Sequence, residues 1–185
     1  MQTLGLSDST PRSESRLKSL LWPSVKSAID VDYLGSQGYW ICTLIACFSF
    51  VVLFATGQPG TAVVTLLLYY IGGVGVREGS RFAAGVVFAF YLLDTLVVGL
   101  GVVRVIFGAI LLSNVRATWV ASRWEPGSEE ESAPARLSEN WSDKFADRLP
   151  PWLWPKVRIP YYIFSLFLLI FGTIGLLAGS DLQPG

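Results

Sequence analysis

Long runs of apolar residues alternate with short polar segments along the chain. The runs cover residues 39–56, 61–76, 82–98, 102–121 and 159–179. Each is close to the ~20 residues that an α-helix needs to cross a lipid bilayer. The pattern predicts an all-α fold, an integral membrane bundle of five transmembrane helices.

The stretch from residue 82 to residue 121 decides whether there are four helices or five. Its apolar part, residues 82–112, would form one helix of ~46 Å, which is too long for a hydrocarbon core of ~30 Å. A reversal at Gly99-Leu100-Gly101 would divide it into two helices, because glycine adopts the positive φ values of tight turns. With five helices, all of the 14 Lys and Arg residues except Arg104 fall on one side of the membrane. Basic residues concentrate on the cytoplasmic side, so we predict five helices with the N-terminus in the cytoplasm.

The same topology divides the chain into four parts. Residues 1–38 form a cytoplasmic tail, residues 39–122 contain four helices, residues 123–157 form a cytoplasmic loop, and residues 158–185 contain the fifth helix and a short outer tail. Both cytoplasmic parts contain apolar residues at helical spacing, which predicts short amphipathic helices at the membrane interface. These residues are Leu17, Leu20 and Leu21 in the tail, and Leu137, Trp141, Phe145 and Leu149 in the loop.

The composition agrees with a membrane location and limits the partners. Hydrophobic residues make up 52% of the chain and charged residues only 15%, with a mean hydropathy of +0.50; soluble domains carry about 25% charged residues. The formal net charge is zero, which argues against nucleic acid as a partner. We expect the lipid bilayer, and other membrane proteins or a second copy of the chain, as partners in a plasma or inner membrane.

Asp94 and Arg104 are charged residues inside predicted helices. If the chain reverses between them, they lie at similar depth on neighbouring antiparallel helices. A charge within the membrane is costly and usually faces a partner. The pair is then either a structural link that fixes the hairpin, which we favour, or a proton or cation site with Arg104 as the counter-charge.

Several basic and aromatic residues cluster near the predicted cytoplasmic surface. They could contact anionic lipid head groups, or they could simply extend towards the surface and fix the helix ends there, which we favour. Asn114 nearby is expected to link helices rather than bind a ligand. The candidate lipid contacts are Arg77, Arg81, Arg116, Trp119 and Arg123.

Pairs of small residues four positions apart predict close contacts between helices, a common and weakly specific pattern in membrane proteins. The candidate packing positions are Gly75, Gly79, Gly85, Ala89, Gly175 and Gly179.

The residue types present exclude several kinds of chemistry. Without any histidine, the chain cannot form a Ser-His-Asp triad, a Cys-His pair or most zinc sites. Asp94 is the only acid within a predicted helix interior, so a pair of catalytic carboxylates is missing. We expect no metal and no cofactor, and nothing in the sequence supports enzymatic activity. The leading hypothesis is a non-catalytic scaffold, assembly factor or small subunit of a membrane complex. The alternative is a small transporter or channel subunit that uses Asp94.

Overall fold

Five long helices account for most of the described structure. The computed structural model describes Trp22, Val25, residues 28–123 and residues 152–180. Within these residues there is no strand, and every helix is long and apolar enough to cross a membrane. The prediction of an all-α chain with five such helices is confirmed, whereas the two predicted amphipathic helices lie outside the described residues. The helices are α1 (Ala28–Ala55), α2 (Pro59–Arg77), α3 (Arg81–Val98), α4 (Val102–Ala121) and α5 (Leu153–Ser180).

The first four helices form a closed ring. Consecutive helices pack side by side, and α4 returns to pack against α1. The fifth helix lies outside this ring, against α2 and α3. We call the end of the bundle where α1, α3 and α5 begin the basic end, because it contains Arg77, Arg81, Arg116, Arg123, Lys156 and Arg158. The opposite end, which contains the turn between α3 and α4, is the Gly99 end.

Three tight turns contain a glycine with positive φ: Gly57 after α1, Gly79 after α2 and Gly99 after α3. Gly99 has φ +98° directly after α3, so the chain reverses within the tripeptide where the sequence predicts it. Gly79 has φ +68° between α2 and α3. A residue with a Cβ rarely adopts such values. Ser80 follows, and its side chain accepts a hydrogen bond from the Ala83 N–H at 3.4 Å, which caps the start of α3.

The first helix begins 11 residues earlier than the predicted start at residue 39 (39 − 28 = 11), so part of the predicted tail belongs to it. The added segment contains glycine and polar residues and has no apolar run. It packs closely nonetheless: a Cβ on Gly35 would lie 3.3 Å from the Val76 carbonyl oxygen, and one on Gly38 would lie 2.7 Å from Asn114 Oδ1. Contacts with α2 and α4 therefore make this segment helical, and hydropathy alone does not detect such contacts.

The fifth helix also begins earlier than predicted, at Leu153 rather than near residue 158. Pro155 lies in its first turn, where the missing N–H would have no partner within the helix in any case. Pro160 lies further inside the helix. The end of the predicted cytoplasmic loop, residues 153–157, therefore belongs to α5.

Candidate functional site

An ion pair links α3 and α4 near the Gly99 end. Arg104 Nη1 lies 2.7 Å from Asp94 Oδ2, within hydrogen-bonding distance. The Asp94 side chain is 50% exposed and that of Arg104 is 28% exposed, so the pair lies on the outside of the bundle rather than in its core. The reversal at Gly99 brings together the two residues that the sequence singles out.

A second contact supports the same hairpin. The Tyr91 hydroxyl donates a hydrogen bond to the Arg104 carbonyl oxygen at 3.0 Å, and the Thr95 hydroxyl donates to the Tyr91 carbonyl oxygen at 2.7 Å. Tyr91 is buried in the core formed by α1 to α4. The antiparallel helices are thus joined by one charged and one neutral contact at the same level, and the Asp94 carboxylate already accepts a charged hydrogen bond.

The residues predicted to contact lipid head groups occupy two parts of the basic end. Arg77 and Arg81 flank the turn between α2 and α3, while the other three lie in and just after the last turns of α4. The Arg116 guanidinium lies 5.1 Å from the centre of the Trp22 ring, within the range of a cation–π contact. The remaining residues of the second group, Trp119 and Arg123, are exposed.

An aromatic cluster, Trp154, Tyr161 and Tyr162, holds α5 against the ring at the basic end. The three ring centres are 5.8 Å apart in each pair, with edge-on geometry. The Tyr162 hydroxyl lies 2.6 Å from Ser80 Oγ and forms a hydrogen bond with it. This link was not predicted from the sequence. The adjacent tyrosines in an apolar run were its only signal, because aromatic residues with a polar tip concentrate at membrane interfaces.

The predicted glycine contacts are only partly present. Gly75 is close-packed, because a Cβ there would meet the Trp154 ring and would lie 2.6 Å from Ala83 Cβ. Gly79 lies in the turn between α2 and α3, and a Cβ on it would meet no described residue within 4 Å. A Cβ on Gly85 or Gly175 would also meet nothing within 4 Å in the described part of the chain, so their pattern marks no contact there. Ala89 is half-buried, and the surroundings of Gly179 lie outside the described part of the structure.

Close contacts between helices occur at glycines other than the predicted ones, namely Gly38, Gly72 and Gly73. A Cβ on Gly38 would lie 2.7 Å from Val76 Cγ1, and one on Gly73 would lie 2.8 Å from Cys42 Cβ. A Cβ on Gly72 would overlap the Tyr161 hydroxyl. Adjacent glycines in the middle of an apolar run were the available signal, since glycine lowers helix propensity and needs a packing reason there.

Asn114 lies at the contact between α4 and α1. Its side chain is 1% exposed, and its Nδ2 donates a hydrogen bond to the Ile110 carbonyl oxygen at 3.1 Å. Its Oδ1 packs against Gly38 and has no hydrogen-bond partner among the described residues. The amide therefore touches α1 through close packing, while its hydrogen bond stays within its own helix.

The comparisons identify no relative for this arrangement. No known protein family, curated protein or solved structure matches the chain. Among the described residues, no three side chains of His, Cys, Asp or Glu lie together in a way that could hold a metal ion.

Proposed function

We propose that the protein is a non-catalytic component of a membrane complex, and that it binds another transmembrane helix along the second half of α5. The observation that carries this proposal is the uneven packing of α5. Only 11% of its apolar span is buried within the chain, compared with 44% for α2. A helix that spans the membrane but packs over half of its length leaves a long surface for a neighbour.

The first half of α5 packs against the ring, and its second half, the open half, is mostly exposed. Trp154, Tyr161 and Ser165 in the first half are buried, and Leu168 in the open half is partly buried against the core. No residue from Leu166 to Gly175 is buried. The two halves therefore differ in what they contact, and the open half begins one turn beyond the aromatic cluster.

The open half carries the small residues that favour association of helices in membranes. A Cβ on Gly172 or Gly175 would meet none of the described residues within 4 Å. Because lipid chains are as apolar as leucine side chains, association of helices depends on close backbone approach, which such residues permit. Two glycines three positions apart lie near each other on the helix surface, so one partner helix can use both.

The charged pair supports a structural role rather than the proton or cation site of the alternative hypothesis. Asp94 Oδ2 is within hydrogen-bonding distance of Arg104 Nη1, so the guanidinium competes with a proton or cation for that oxygen. The absence of histidine from the sequence adds support for a component that acts through packing and not through catalysis.

Photocrosslinking in native membranes tests the proposal. A photoreactive amino acid replaces Phe171 on α5 or, as the matched control, Phe54 on α1; their exposed fractions are 57% and 58%. We expect a discrete crosslinked protein from position 171 and lipid adducts alone from position 54. Gly175→Leu should abolish the product and leave the chain folded, whereas Gly85→Leu on the open side of α3 should not. Lipid adducts alone from position 171 would contradict the proposal.

A further inference from the structure

Two arginines flank the hydrogen bond between Ser80 and Tyr162. Arg81 directly follows Ser80 in α3, and Arg158 lies one helical turn before Tyr162 in α5, about 6 Å nearer to the basic end. Residues three, four and seven positions after Arg158 are Tyr161, Tyr162 and Ser165, which face the ring. Because such positions share one side of a helix, Arg158 lies on the side of α5 that faces the ring, one turn from the contact of Tyr162 with Ser80.

Arg81 lies over the Phe82 ring, and Phe82 in turn contacts Tyr162. The Arg81 guanidinium carbon lies 5.2 Å from the centre of the Phe82 ring, and that ring is 6.2 Å from the Tyr162 ring in an edge-on contact. Both arginines are exposed, and within the described part of the chain neither forms an ion pair with an acid. Glu78 is the acid of the adjoining turn and is also exposed.

The surroundings match the boundary between lipid head groups and acyl chains. The apolar span of α3 begins at Arg81, and the aromatic cluster lies at the same level, where such residues concentrate in membrane proteins. Large apolar side chains next to the arginines face outward: Phe82 is 63% exposed and Ile159 is 62% exposed. Charged donors therefore adjoin an apolar surface that acyl chains can cover.

We propose that Arg81 and Arg158 bind the phosphate group of an anionic phospholipid in the groove between α3 and α5. Guanidinium groups form paired hydrogen bonds with phosphate oxygens, and the Ser80 and Tyr162 hydroxyls add polar groups between them. The lipid would connect α5 to the ring at the point where the two helices begin. This site is separate from the open half of α5 and goes beyond the proposed function.

Native mass spectrometry of the purified full-length protein in neutral detergent tests the site, with dioleoylphosphatidylglycerol as the probe and dioleoylphosphatidylcholine as the uncharged comparison. We expect preferential binding of the anionic lipid. Arg81→Gln and Arg158→Gln should each weaken it about fivefold, and the double variant should weaken it roughly 25-fold. Lys156→Gln is the matched control, because position 156 lies about 200° around α5 from position 158, and its binding should stay within about twofold.

Two further measurements distinguish the loss of a lipid-binding site from a general folding defect. Glu78→Gln removes a nearby negative charge and should strengthen binding of the anionic lipid, a gain that a misfolded protein would not show. Inorganic phosphate, added at the concentration of the lipid, should not displace it. Equal losses in the Lys156 and arginine variants, no gain from Glu78→Gln, or displacement by inorganic phosphate would each overturn the proposal.

Discussion

Gly75→Ala should separate α5 from the ring, because the added methyl group has no room. Its Cβ would lie 2.6 Å from Ala83 Cβ and would meet the Trp154 ring, whereas carbon atoms in contact are ~3.5–4.0 Å apart. Ala83 has no rotatable side chain to move aside, so one of the helices must shift by about 1 Å. Overpacking of this kind costs about 1–3 kcal/mol.

Gly85→Ala is the matched control. Position 85 also lies within a helix, but a Cβ there meets nothing within 4 Å. Both substitutions gain about 1 kcal/mol of helix propensity, so this contribution cancels when the two variants are compared. We expect Gly75→Ala to be about 1–3 kcal/mol less stable than Gly85→Ala, measured as the free energy of unfolding in a titration with sodium dodecyl sulfate in mixed micelles.

The aromatic partner can be tested in the same assay. Trp154→Phe in the Gly75→Ala background reduces the ring that the new methyl group would meet, so the double variant should recover part of the loss. Neighbours in contact typically show coupling of about 0.5–3 kcal/mol. Equal stability of Gly75→Ala and Gly85→Ala, or strictly additive effects of the two substitutions, would refute the packing of Trp154 on Gly75.

Substitutions can also test three other contacts. Asp94→Asn should destabilise the chain by about 1–2 kcal/mol, because Arg104 loses its charged partner near the membrane edge. The exchange Asp94→Arg, Arg104→Asp should restore most of the stability in the same titration. If the exchange restores the fold but not the activity, the transport hypothesis gains support. Gly38→Ala should cost about 1–3 kcal/mol by overpacking, and Asn114→Ala should relieve part of that cost; a stable Gly38→Ala variant would contradict the close contact of α1 and α4. Tyr162→Phe should cost about 1 kcal/mol through the lost hydrogen bond to α3 and leave far-ultraviolet circular dichroism unchanged, whereas an unaltered stability would mean that the bond contributes nothing.

The bounds of α2, α3 and α4 could be predicted closely because local residues set them. The predicted ranges 61–76, 82–98 and 102–121 differ from the observed helices by at most two residues at either end. The reversal at Gly99 is a property of the backbone at that residue, and the pairing of Asp94 with Arg104 follows from the reversal. These features need no knowledge of distant contacts.

The start of α1 and the packing glycines could not be predicted in the same way. Residues 28–38 lack an apolar run, and their helical structure depends on where Val76 and Asn114 lie. The spacing of Gly75 and Gly79 is identical to that of small pairs that do pack, yet only Gly75 faces a neighbour. Spacing shows that two small residues share one side of a helix, but the position of the other helices decides whether that side is occupied.

The closed ring of α1 to α4 has a consequence for how the chain is made. These helices complete their mutual contacts within residues 28–121, and α5 follows only after the segment 122–152. The residues of the ring therefore leave the ribosome before those of α5. We expect α5 to dock onto the ring as a separate and later step of biogenesis.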